Sequence, residues 1–143
     1  VVETASGSRE LHCVVVTPER ALLDEPADFI ALPLFDGELG VLPGRAPLIG
    51  RLGYGELRIR RGSTTQRFFV DGGFAQVRDN VVTVLTGRAI RAEEIDAETA
   101  KRTLEAAPPS ASPADQETRR KAQERARSQL RVVRHVRGEA IHG

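Results

Sequence analysis

The chain has 143 residues, a net charge of +1 and 29% charged side chains. That suits one compact domain with a small appendage and argues against a dedicated nucleic-acid binder. No apolar run approaches the roughly 18 residues a membrane span needs, so direct membrane insertion is not expected, and no secretory leader is visible.

The elements read as strands from Leu11 to about Arg91. In chain order they are LHCVVV (11–16), ADFIALPL (27–34), GELRIRR (55–61), QRFFVD (66–71), GFAQVRD (73–79) and VVTVLTG (81–87). Each is short, rich in β-branched or aromatic residues, and bounded by Gly, Pro, Asp or Asn. Leu57 and Ile59 alternate with Arg58 and Arg60, the period-two pattern of a strand with one wet face. Asp79-Asn80 and the stretch Arg61-Gly62-Ser63-Thr64 read as tight turns. Cys13 stands alone inside LHCVVV, where a buried, inert thiol is expected; it has no disulfide partner. With Trp and Met absent, the core has to come from Val, Leu, Ile, Ala and five Phe.

Near Glu93 the pattern changes. AEEIDAETAKRTLEAA (92–107) has good helix formers and no Gly or Pro. Ala97, Ala100, Leu104 and Ala107 form a narrow apolar stripe, and Glu93, Glu94 and Asp96 fit the first turn. Pro108-Pro109 stops this helix. A second helix is expected from Ser112 as cap, with Pro113 at its first position, to about Arg137, before Gly138. Its stripe is Ala122, Ala126, Leu130, Val133 and Val136. The expected fold is α+β: an N-terminal antiparallel β-sandwich, residues 1–91, followed by a C-terminal α-helical hairpin, residues 92–143. Thin, Ala-rich stripes bury little area, so the hairpin is expected to leave its sandwich easily.

The most irregular stretch is DGELGVLPGRAPL (36–48). It is not a phosphate cradle, which needs Lys and then Ser or Thr after its last glycine; here Arg45, Ala46 and Pro47 follow Gly44. Gly50, Gly53 and Gly55 miss the dinucleotide fingerprint. His12, His135 and His142 lack metal-ligand spacing and read as structural, helix-end and tail residues. No nucleophile, acid pair or cofactor motif marks an enzyme. From Arg119 to Arg137, seven Arg and one Lys face a single acid, Glu124, which favours an acidic partner over a merely solvated face.

GELGVLPGRAPL, then GELRI, then FFVDGGFAQVRDNVVTVLTGRAI, then EEID opening a helical hairpin, together resemble the epsilon subunit of F-type ATP synthase. The resemblance runs from Leu11 to about Val136. It implies a sandwich of about ten strands, no active site and no cofactor. The implied role is in the central rotor, bound to the gamma subunit and the c-subunit ring, coupling ring rotation to the catalytic head. It places the chain as a peripheral membrane protein on the cytoplasmic side of the bacterial inner membrane.

The resemblance also marks residues. Glu38 matches the acid that faces the polar loops of the c ring, with Pro43, Gly44 and Arg45 at the same interface. Arg45 replaces the His of the more usual PGHAPL and removes titration near neutrality. Arg119, Arg120, Lys121, Arg125 and Arg127 match the helix that meets an acidic segment of the catalytic beta subunits and inhibits ATP hydrolysis. Some members bind ATP through I-D-x-x-R and further arginines. Ile95, Asp96 and Arg125 match, but Thr99 and Ala106 stand where arginines are expected, so tight ATP binding is not expected. The alternative function is a free-standing interaction module whose basic hairpin binds RNA or an acidic protein. Few aromatics speak against base stacking.

Overall fold

The computed structural model describes residues 10–105 and 113–142. Eight strands occupy the first part: β1 (Leu11–Val16), β2 (Ala21–Ala27), β3 (Phe29–Leu34), β4 (Gly37–Val41), β5 (Leu48–Arg61), β6 (Thr64–Arg78), β7 (Val81–Leu85) and β8 (Ala89–Arg91). A 3-10 turn (Ala92–Glu94) leads to helices α1 (Ala97–Glu105) and α2 (Pro113–His142), which pack together as a hairpin.

The strands form one hydrogen-bonded path, β2-β1-β7-β6-β5-β3-β4, with β8 added beside β6. Strands from both ends of that path, β2 and β4, supply Leu23 and Val41 to one buried cluster. The sheet therefore folds over on itself into two layers around a shared core. All pairings are antiparallel except β1 with β7, whose partners are far apart in the chain, as parallel pairing requires.

The fold-over is written into β5 and β6. Their register is unbroken in direction, from Leu48↔Val77 to Arg61↔Thr64, but no pair forms between Gly53 and Gly72. On either side the core-facing set changes parity. Leu57, Ile59, Phe68 and Val70 point inward on one side, and Leu52, Ala75 and Val77 on the other. Gly72 (φ 71°) and Gly73 (φ 109°) supply the left-handed conformations this roll needs. A Cβ on Gly73 would stand 2.0 Å from the Leu85 carbonyl oxygen. The glycines make a bend inside one strand, where the sequence pattern suggested a break between two. This is why eight strands are found among the described residues and not about ten.

Three strands escaped the sequence reading: β2, β4 and the three-residue β8. Each is paired on one side only. Edges tolerate the Pro26 of β2 and the glycines of β4, which weaken the strand pattern. Half of the 36–48 stretch is thus strand, and only residues 42–47 form a loop. The two expected turns are present. Asp79 (φ 51°) and Asn80 (φ 65°) make a two-residue hairpin turn, and Gly62 (φ 61°) turns β5 into β6 while its N–H donates to Asp28 Oδ2 at 2.6 Å.

The helix boundaries also differ from expectation. Ile95 is extended, so Glu93 and Glu94 belong to the 3-10 turn. Asp96 caps α1 with a carboxylate that accepts the Thr99 amide (3.1 Å) and hydroxyl (2.6 Å). Helix α2 runs through Gly138, since an interior glycine costs only about 1 kcal/mol relative to alanine. Ala107, Pro108-Pro109 and the expected cap Ser112 lie outside the described residues.

Candidate functional site

The loop 42–47 closes one end of the sandwich. The Gly44 N–H donates to Asn80 Oδ1 at 2.8 Å, tying the loop tip to the β6–β7 turn. Arg45 N–H donates to Leu42 O at 3.2 Å, and Gly44 adopts φ 89°. Pro43 is half-buried, while Leu42, Gly44 and Arg45 are exposed. The Arg45 side chain has no ion pair among the described residues.

Glu38 is placed differently. It stands on β4 opposite Pro33, and its carboxylate accepts a forked pair of bonds from Arg58 on β5, at 3.1 and 3.3 Å. The fold thus holds Glu38 in a sheet-face ion pair and leaves Arg45 on the loop tip. Arg58 also reaches Glu56 Oε1 at 3.5 Å. Glu56 is a buried carboxylate; its Oε2 accepts Arg67 Nη1 at 3.0 Å and His135 Nδ1 at 3.0 Å. His135, expected only as an exposed helix-end residue, is a docking contact of α2. His12 pairs with Asp24 on the neighbouring strand β2, a structural role as expected.

Helix α2 lies over the outer face of β5 and β6. A small apolar cluster of Phe69, Ala92 and Val132 holds it, flanked by Tyr54, Ile90, Ile95 and Val136. Arg125 adds an ion pair to Asp71 (2.9 Å) and lies over the Tyr54 ring, 4.9 Å from its centroid. Burial works against its charge, but Asp71 and Tyr54 outweigh that and push its pKa up. The sandwich-facing side of α2 is therefore Arg125, Ser128, Val132 and His135, at spacings of three, four and three. Three of these four are polar; of the expected stripe, Val136 packs against the same cluster. The expected Leu130 and Val133 instead line the groove against α1, beside Ala97 and Leu104.

The other predicted cations of α2 divide. Arg120 donates to Glu117 and Glu124, and its bond to Glu117 leads in raising its pKa. The scarcity of acids near this helix was thus offset by Glu117, just ahead of the basic run. Arg119 is half-buried, and Lys121 and Arg127 are exposed. Lys121, Arg127 and Arg131, with Arg51 from β5, line an open cleft of about 710 Å3 between helix and sheet.

The nucleotide candidates are each committed elsewhere. Asp96 is the cap of α1, and the Thr99 hydroxyl leads in holding its carboxyl below the usual range. Ile95 packs beside the Phe69 cluster, and Arg125 is held by Asp71. No group of acids, histidines and cysteine able to hold a metal occurs among the described residues. Among them, no helix is long and apolar enough to cross a membrane.

One surface had no counterpart in the sequence reading. Past the glycine bend, Ile49, Phe74, Val81 and Leu85 are exposed on the outer face of β5, β6 and β7. Phe74 and Leu85 are direct cross-strand partners. The alternation that marks core positions reverses at Gly72-Gly73, which hid Phe74 among apparent core residues.

The profile of the family described as ATP synthase, Delta/Epsilon chain, beta-sandwich domain, matches residues 10–92. The ATP synthase epsilon chain of Rhodopirellula baltica is 58% identical over 126 residues, covering 87% of this chain and 98% of its own. That of Nitratidesulfovibrio vulgaris (strain Miyazaki F) is 45% identical over 94 residues, covering 66% of this chain and 70% of its own. A chain in the Euglena gracilis mitochondrial ATP synthase structure (OSCP/F1/c-ring) superposes with a TM-score of 0.72 at 27% identity, over 85% of this chain and 82% of that one. A chain of the Tetrahymena thermophila mitochondrial ATP synthase central stalk and c-ring shares the fold, with a TM-score of 0.67 at 15% identity, over 86% of this chain and 96% of its own. With residues 10–92 matched to the profile and a relative 58% identical over 87% of the chain, the chain belongs to the ATP synthase epsilon-chain family, as a non-catalytic subunit of that complex.

Proposed function

We propose that the sandwich joins the rotor through two surfaces and that α2 is the regulatory element, docked in this state and able to leave. The c-ring surface is the loop end, with Pro43, Gly44 and Arg45 presented outward and Glu38 on the adjacent strand. The gamma subunit covers the bare apolar face of Ile49, Phe74 and Leu85. An exposed apolar patch of this kind marks a protein contact. Such a subunit works at the cytoplasmic side of the bacterial inner membrane, held there by its partners.

The observation that carries the regulatory part is the imbalance in how α2 is held. Three buried apolar residues, one ion pair and one histidine–carboxylate hydrogen bond dock a helix of 30 residues. Lys121 and Arg127 meanwhile stay exposed. Released, α2 offers Arg119, Arg120, Lys121, Arg125 and Arg127 to an acidic segment of the catalytic beta subunits and brakes hydrolysis. Arg125 is then the shared residue, since its guanidinium must leave Asp71 first. Nucleotide binding through Ile95, Asp96 and Arg125 gains no support, because each is engaged within the docked fold. The relatives named above are all ATP synthase components, so the free-standing module gains nothing from them.

Truncation from Ala111 onward in the assembled complex tests the brake. Hydrolysis should rise while synthesis and assembly persist; unchanged hydrolysis would refute a braking role. Reversing charge at Glu38 should weaken rotor assembly or coupling, and an unaffected rotor would remove Glu38 from the ring surface.

A further inference from the structure

A chain of polar contacts on the outer face of the sandwich connects β4 to α2. It begins at Glu38 on β4, passes through Arg58 and Glu56 on β5, and ends at His135 on α2. Its centre is Glu56, whose side chain is 8% exposed. A carboxylate buried this far has to be compensated by cations or donors. Arg67 compensates it from β6, and His135 compensates it from the helix. Arg58 is divided. It is forked onto Glu38 at 3.1 and 3.3 Å and reaches Glu56 only at 3.5 Å.

We propose that Arg58 is a shared cation through which the state of Glu38 sets how firmly α2 is docked. While Glu38 holds Arg58, Glu56 is under-compensated and His135 of the helix completes it. If Glu38 is neutralised, or drawn to an outside cation, Arg58 turns fully onto Glu56. Glu56 then has two arginines, and the bond to His135 loses its advantage. Helix release becomes coupled to whatever engages the β4 surface. The coupling needs no backbone movement in the sandwich, because Arg58 and Glu56 lie on the same strand two residues apart and face the same way. Because Glu56 itself is buried, turning the Arg58 guanidinium toward it changes the field at its carboxylate.

This rests on the reading above only for what engages Glu38 in the rotor; the network itself belongs to the isolated chain. It is tested there, on the full 143-residue chain, by amide hydrogen exchange at residues 132–136 of α2, each normalised to a core amide such as Leu57 in the same sample. Glu38→Gln should speed α2 exchange about three- to tenfold, the range expected for an ionic contact altered at partial burial. Arg58→Gln should slow it, since Glu56 then depends more on His135. In a His135→Leu background, where the helix end of the network is gone, Glu38→Gln should have no further effect. Equal α2 exchange in wild type and Glu38→Gln would overturn the proposal. So would a Glu38→Gln effect that persists undiminished in His135→Leu, which would mean transmission by another route. Normalisation to Leu57 separates helix release from loss of the sandwich as a whole. A rotor that still assembles with Glu38 reversed would sink the ring assignment and leave this coupling standing.

Discussion

The sandwich and the long helix are built from the same chain but held by different kinds of contact. In the sandwich, seventeen buried residues among those described form one cluster drawn from seven strands. Beneath α2, three buried residues form the corresponding cluster, and the Arg125–Asp71 ion pair and the His135–Glu56 hydrogen bond do much of the remaining positioning. Apolar burial stabilises by about 25 cal/mol per Å2 and is insensitive to direction. Partly exposed ion pairs contribute about 1 kcal/mol or less and depend on geometry and salt. A chain organised this way keeps one half constant while the other changes partners. The largest test of the contrast is at the bend that makes the sandwich. Gly73→Ala would bring a Cβ to 2.0 Å from Leu85 O and 2.8 Å from Thr86 Cα, at φ +109°. Overpacking and backbone strain together should cost about 3 kcal/mol or more. Urea unfolding followed by circular dichroism should show it. Gly37→Ala is the control, because φ is +137° there but nothing lies within 4 Å. A cost for Gly73→Ala no larger than for Gly37→Ala would mean the bend is not the rigid element described.

Val132→Asp probes the other half. Val132 is 1% exposed against Phe69 and Ala92. An unpaired carboxylate there costs several kcal/mol while α2 stays docked. Undocking relieves that cost, and the core of the sandwich is untouched. Amide protection along α2 should fall by about 100-fold or more, with little shift in the urea midpoint of the strands. If strands and helix lose stability together, the two halves are one cooperative unit and the contrast fails.

How much of this contrast was legible in the sequence depends on what each contact is made of. The central strands were legible because Leu57 and Ile59 alternate with arginines, and because Asp79-Asn80 announces its turn. The edge strands β2 and β4 were not, because a strand paired on one side tolerates Pro26 and the glycines that blur the pattern. The docking face of α2 was hidden for a related reason. Arg125, Ser128 and His135 are polar, and the contacts of Arg125 and His135 are with Asp71 and Glu56, dozens of residues away in the chain. Of the stripe that was visible, Leu130 and Val133 belong to the contact with α1, and Val136 to the docking cluster. Glu38 was singled out by resemblance alone. Its fork with Arg58 joins β4 to β5 across the register of β3, which no spacing between the two residues could reveal. The exposed Phe74 was concealed by the same glycine bend that builds the fold.

The smallest expected effect concerns the constancy of the sandwich against pH. Cys13 is fully buried, and its thiol pKa is pushed from 9.0 to about 12, chiefly by burial and secondarily by the charge of Glu25. The unfolded chain releases this proton near the ordinary value, while the folded chain retains it. Between those values the unfolded state binds fewer protons, so stability is complete below 9.0 and declines as pH rises toward about 12. Cys13→Ala removes this part of the slope. It lowers stability at neutral pH by a small cavity, yet makes the loss from pH 8.5 to 10.5 shallower than in wild type. Urea unfolding of both proteins at four pH values across that span measures the difference. Parallel slopes would mean that Cys13 ionises no differently in the folded and unfolded chain. A thiol reagent gives the kinetic counterpart: at pH 8, modification of Cys13 should follow global unfolding and be unchanged by Val132→Asp. Faster modification in that variant would show that the β1 core opens along with α2, and the separation of the two halves would be lost at its most buried point.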